Sequence, residues 1–283
     1  MGPLLALASA VVYGVADVWG GLLSRRAGFA SVALAGQLGG LALTLLAAPF
    51  VPAADPAVPD LAWGALSGVG TGLGMVFLYR GLSRGSMSVV VPVSAVNGLA
   101  LPVLAGVVLL GDRPSPLAWL GVATAVPALW LVSRDRAGGG AGTSAATADA
   151  LVAGLGIGVQ YLALAQAGAE AGIWPVVTGR CAAVLAILPL LRTASRPDAE
   201  NGRGLPPRLM PSAALTGGLA ALALILYLLA TRSQLVAVAV VLSSLYPAIP
   251  VILGVTLLGE RLRRAQAAGL AGVVAAIALL TAG

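Results

Sequence analysis

Ten stretches of mostly apolar residues follow one another along this chain: Pro3–Leu23, Ser31–Phe50, Leu61–Tyr79, Met87–Leu110, Pro116–Ser133, Ala148–Gly168, Gly172–Leu191, Pro211–Thr231, Leu235–Leu258 and Ala265–Ala282. Each is close to the roughly twenty residues that a helix needs to cross a bilayer. The spacers are mostly short and carry Gly, Pro, Asp or Arg, as loops between spans do. Backbone groups in hydrocarbon must be satisfied internally, so a span is a helix or a strand of a closed barrel. These runs are too long for tilted strands and do not alternate, which leaves helix. Composition agrees: 59% of the 283 residues are hydrophobic and 9% are charged, against about a quarter charged in a soluble domain. The expected fold class is an all-α integral membrane protein with ten transmembrane helices.

The order of the runs repeats. Residues 101–113 read LPVLAGVVLLGDR and residues 249–261 read IPVILGVTLLGER. At an offset of 148, Pro102 falls on Pro250, Gly106 on Gly254, and Gly111-Asp112-Arg113 on Gly259-Glu260-Arg261. Five helices is an odd number, so a second copy enters the membrane upside down, giving inverted repeats as in many secondary transporters. The expected division is residues 1–133, a Gly/Ala-rich linker over 134–147, and residues 148–283.

All sixteen basic residues are arginine. Thirteen fall in loops after runs 1, 3, 5, 7 and 9, while the opposite side holds only Arg113 and Arg232. Positive charge concentrates on the cytoplasmic side, so both termini are expected outside, in the cell membrane. The arginines sit at run ends rather than in one stripe, which fits lipid headgroups and argues against nucleic acid. The N-terminal run is not expected to be a signal peptide, being long, without a preceding basic residue and interrupted by Asp17. With Cys181 the only cysteine and no histidine, an internal disulfide, most zinc sites and histidine-activated nucleophiles are excluded. No cofactor or metal is expected. No second intramembrane Asp is expected to pair with Asp17 as an acid/base dyad, so an intramembrane enzyme is disfavoured.

Asp17 is the residue that most needs explaining. It lies six residues before the end of run 1, roughly 9 Å inside the arginine-bearing end at 1.5 Å per residue. An ionised carboxylate at a helix centre costs about 2.5–3.5 kcal/mol on the insertion scale. Helical spacing puts Asp17 on one face with Ala10, Tyr13, Gly14, Gly20, Gly21 and Ser24, and turns Val11, Val15, Val18 and Leu22 away. A carboxyl on that small, polar face is a candidate for carrying a proton or a cationic group. Its alternative is a static pair with Arg180, the one arginine deep in a run.

Arg180 is itself a candidate for gripping a carboxylate or phosphate through its planar fork, or else a structural cation. Ser94 and Asn97 lie beside Pro92 and Pro102 on run 4; Ser243 and Tyr246 lie beside Pro247 and Pro250 on run 9. Proline frees a carbonyl that such groups satisfy, or the pair opens a solute site. The matched prolines mark runs 4 and 9 as candidate broken, gating helices. Gln37, Gln160 and Tyr161 are further candidate contacts, with interhelical bonding as their alternative. The glycines Gly64, Gly68, Gly70, Gly72 and Gly74 read as a close-packing face, not a phosphate loop. Trp63, Trp119 and Trp130 read as an interfacial belt; Trp19 and Trp174 are candidates for lining a cavity.

The stretch YRGLSRGSMSVVVPVSAVNGLALPVLAGVVLLGDRPSPLAWLGV, with the GDR and GER triplets after runs 4 and 9, resembles the EamA family of the drug/metabolite transporter superfamily. ADVWGGLLSRRAGF is similar to the first helix of the small multidrug resistance transporters of the same superfamily. By that resemblance Asp17 stands where those proteins keep a proton- and cation-binding glutamate, though here as the shorter acid and with Gln160 near the equivalent place in the second half. The expected function is proton-coupled export of a small organic solute, metabolite or cationic compound by alternating access. The alternative is an uncoupled uniporter or exchanger of an anionic or zwitterionic metabolite held by Arg180. Expected partners are the small solute, protons and membrane lipids.

Overall fold

A computed structural model describes residues 2–105, 115–133, 141–164, 166–194, 204–233, 246, 248–257, 259 and 264–282. No strand occurs among the described residues. The helices are α1 (Gly2–Ser24), α2 (Phe29–Ala47), α3 (Val58–Arg84), α4 (Met87–Ala105), α5 (Pro116–Ser133), α6 (Ala141–Leu164), α7 (Trp174–Ala194), α8 (Met210–Ser233), α9 (Ala248–Leu257) and α10 (Arg264–Ala282). Six of these segments are long and apolar enough to cross a membrane: Leu4–Ser24, Phe29–Phe50, Val58–Arg84, Ser144–Leu164, Trp174–Leu191 and Pro207–Ala230.

Most sequence-read runs fall on these helices within a few residues. Run 9 is described only over its second half, and Ser243 and Pro247 lie outside the described residues. The linker expected over 134–147 is helical from Ala141. The prolines of run 4 predict a broken helix, yet α4 continues through Pro92 and Pro102. Its Val89–Val96 stretch is buried, and packing against neighbours holds the backbone where a hydrogen bond is missing.

Between membrane helices small residues substitute for a hydrophobic driving force, since they let backbones close on each other. α3 shows this on two faces. Gly64 and Gly68 lie against Pro175 and Gly179 of α7, and Gly72 against Ala183; Gly70 and Gly74 lie against Gly156 and its neighbours on α6. The four-residue spacing within each set keeps it on one side of the helix. α2 meets α8 in the same manner, through Gly36, Gly39 and Gly40 against Ala213, Ala214 and Gly217.

The helix pairs come in matched sets. α3 packs along α6 and α7, and α8 packs along α1 and α2; α4 packs on α6, and α9 on α1. Exchanging the first five helices for the second five converts each of these packings into its partner. The contacts α2–α7, α4–α9 and α5–α10 map onto themselves.

The two ends of the bundle differ in charge. At one, Arg25 follows α1 and donates to the carbonyls of Leu82 (3.0 Å) and Gly85 (2.9 Å) at the end of α3. At the other, the Asp60 carboxylate accepts from the Gly168 amide at 2.7 Å, and the amides of Ala54 and Asp55 donate to the Glu170 carbonyl.

Candidate functional site

Asp17 is 1% exposed and faces the bundle interior. The face read for it holds: Ala10, Tyr13, Gly14, Gly20, Gly21 and Ser24 are buried, while Val11 and Val15 are exposed. Val18 is a correction. It is buried as well, because α1 is covered on more than one side, by α3, α8 and α9. Trp19 and Trp174 are corrected too: both are exposed on the outer surface and line no interior space. Trp63 and Trp119 are exposed as belt residues would be.

Tyr13 lies one turn from Asp17, and its ring meets that of Tyr246 with centroids 5.4 Å apart. The hydroxyls of Tyr13, Tyr79, Tyr161 and Tyr246 are all in electrostatic reach of the Asp17 carboxylate. Tyr161 in turn meets the Tyr227 ring edge-on at 5.9 Å. Tyr79 lodges against the backbone of α1 at Gly20, where a β-carbon would strike its ring. Gly14 likewise lets the Tyr246 carbonyl and Ile249 close on α1.

On the far side of Tyr13, the Gln160 carboxamide oxygen accepts from the Thr71 hydroxyl at 2.7 Å, and the Ser67 hydroxyl donates to the Gln160 carbonyl at 2.9 Å. Arg180 is buried and donates from Nη1 to Oε1 of Gln37 at 2.7 Å. Three buried polar atoms here have no hydrogen-bond partner among the described residues: Asp17 Oδ1, Gln160 Nε2 and Arg180 Nη2. They offer one acceptor and two donors.

No ion pair joins Asp17 to Arg180 among the described residues. Depth accounts for this. Asp17 is seven residues from the end of α1 at the arginine side, and Arg180 six residues from the start of α7 at the opposite side. At 1.5 Å per residue each stands roughly 10 Å from a different end of a helix about 30 Å long. The two charges therefore occupy different levels.

The remaining sequence candidates divide. Gln37, Gln160, Tyr161 and Tyr246 join the central cluster. Ser94 donates to the Val91 carbonyl of its own helix at 2.9 Å, and Asn97 to the Leu151 carbonyl of α6 at 2.6 Å; neither acceptor is the carbonyl that Pro92 or Pro102 frees four residues before it. Pro92 and Pro250 are buried within α4 and α9. Sequence reading missed Tyr79, Thr71 and Ser67, which α3 delivers to the cluster, and Tyr227 of α8.

Comparison with known proteins supplies what side-chain geometry lacks. The model of the EamA-like transporter family matches residues 1–134 and again residues 147–282. A solved structure titled only "Crystal structure of protein" is similar over 98% of this chain and 95% of its own, with a TM-score of 0.58 and 20% identity, a likeness of fold alone. No curated protein matches the chain.

Proposed function

Because this chain belongs to the EamA-like transporter family, we propose that it is a secondary carrier exporting a small organic solute, metabolite or cationic compound in exchange for protons. Asp17 is the group that takes up the proton or the cation. The observation that carries this reading is the burial of Asp17 in a spanning helix with Oδ1 unpartnered. An isolated carboxylate in such surroundings is costly, and either a proton or a cationic group removes the cost. One carboxyl that holds the two ligands in turn, but not together, couples their movements.

The matched helix packings, together with a family model that fits the chain twice, support the inverted-repeat architecture read from the sequence. In such carriers the solute binds near the midplane between repeats. Tyr13, Gln160, Tyr161 and Tyr246 come from both halves and surround that level.

Reconstituted protein tests the assignment. With Asp17→Asn, solute movement driven by a pH gradient is lost, while downhill exchange of solute survives in reduced form; Asp17→Glu retains gradient dependence. Full gradient dependence in Asp17→Asn overturns it. A second reading, an uncoupled exchanger of anionic or zwitterionic metabolites, draws on the free Arg180 Nη2. There, Arg180→Gln abolishes transport and Asp17→Asn leaves its pH response intact.

A further inference from the structure

A second buried acid lies outside this cluster, at the arginine end. The Asp149 side chain of α6 is 3% exposed. Its Oδ1 accepts from Arg80 Nε at 2.9 Å, and its Oδ2 from Arg84 Nη1 at 3.3 Å. The two arginines are four residues apart on α3 and so share a face, and the Arg80 guanidinium also stands 4.3 Å from the Phe77 ring centroid. Gly81 and Gly85 of the same turn leave room for Ala146 of α6. Arg25 clamps the carbonyls of that turn from the end of α1. The end of α3 is thereby tied to α1 and α6 together. Tyr79, the residue before Arg80, rests on Gly20 of α1, three residues beyond Asp17.

Exchanging the two halves maps the α3–α6 contact onto α8–α1 at the opposite end. There Ala6 and Ala230 are both fully buried with Leu5 packed on them, and the Ser9 hydroxyl of α1 donates to the Ala223 carbonyl of α8 at 2.7 Å.

We propose that the Arg80–Asp149–Arg84 cluster is the latch that closes the central site toward the arginine end. The proposal rests on the carrier reading, since a latch has a role only where access alternates. A buried ion pair suits it physically. Its Coulombic gain is largely cancelled by desolvation, so parting the ions into water costs little. Removing the carboxylate alone is different, because it leaves two like charges facing each other without a partner.

A thiol buried at the same end of the bundle tests this. Ser24 is 2% exposed at the arginine-end terminus of α1. In a Cys181→Ala background, Ser24→Cys reacts slowly with a membrane-impermeant maleimide offered from the arginine side. Adding Asp149→Asn raises that rate by about tenfold or more, corresponding to a shift of ~1.4 kcal/mol in the closing equilibrium. Asp149→Glu returns it toward the parent value, and high salt accelerates the parent but not Asp149→Asn. Where Asp149→Asn accumulates poorly, Arg84→Gln gives a smaller rise in the same assay. Unchanged labelling in folded Asp149→Asn or Arg84→Gln protein, as a merely structural tie requires, overturns the proposal. The assay uses no substrate and no pH gradient, so it stays readable if Asp17 is not the coupling group, and the transport assay stays readable if the latch fails.

Discussion

Gly20 sits three residues past Asp17 and carries the Tyr79 ring on its bare backbone. A methyl group there has nowhere to go without moving an aromatic ring that is 2% exposed. Overpacking of this kind costs about 1–3 kcal/mol. Gly20→Ala is therefore expected to lower the melting temperature in detergent, and adding Tyr79→Leu to recover part of it by vacating the ring's place. Equal melting temperatures for the parent and Gly20→Ala remove Tyr79 from its proposed seat. Asp17 was legible in the sequence because a lone acid in an apolar run has no bland surroundings to hide in. Tyr79 was not, since a tyrosine beside Arg80 at the end of a run looks like a headgroup anchor. Asp149 escaped for a related reason. It falls at the edge of its apolar run, and only the extension of α6 back to Ala141 puts it inside a helix facing two arginines. Partners on other helices decided both cases, and spacing along one helix carries no record of them.

At the scale of elements, the glycines of α2 and α3 are contact surfaces. A β-carbon on Gly68 would overlap the Gly179 carbonyl of α7, and one on Gly217 the Gly36 carbonyl of α2. Both obstacles are backbone, which cannot rotate aside as a side-chain tip does. Gly68→Ala or Gly217→Ala is expected to force whole helices apart and sharply reduce the yield of monodisperse protein in size-exclusion chromatography. Gly204→Ala is the control, because nothing lies within 4 Å of its added carbon; it should stay within about 0.5 kcal/mol of the parent. A Gly68→Ala protein that purifies and melts like the parent would show that α3 and α7 are not closed on each other. The packing role of Gly64 to Gly74 was readable from composition in an apolar run. Their division between two partners was not, because the sequence does not say that α6 and α7 flank α3.

Over the whole molecule, charge distinguishes two ends that the helix pairing makes alike. Arg25, Arg26, Arg80 and Arg84 gather at one; Asp55, Asp60 and Glu170 gather at the other. Arginine near the ends of spans is retained on the cytoplasmic side, whereas acidic residues contribute little to orientation. The arginine end is therefore expected in the cytoplasm and both termini outside. Two exposed positions report on this, Ala57 at the acidic end and Arg26 at the other. In a Cys181→Ala background, Ala57→Cys should react with an impermeant maleimide on intact cells. Arg26→Cys should react only once the membrane is opened. The reverse pattern inverts the molecule, and with it the mechanism: Asp17 lies nearer the arginine end, so that end decides which compartment loads the carboxyl over the shorter path. With arginine inside, the proposed carrier would gather solute from the cytoplasm past the proposed latch at Asp149. That placement suits the proposed exporter, since the end that opens to gather solute is then one whose closing contacts water readily replaces.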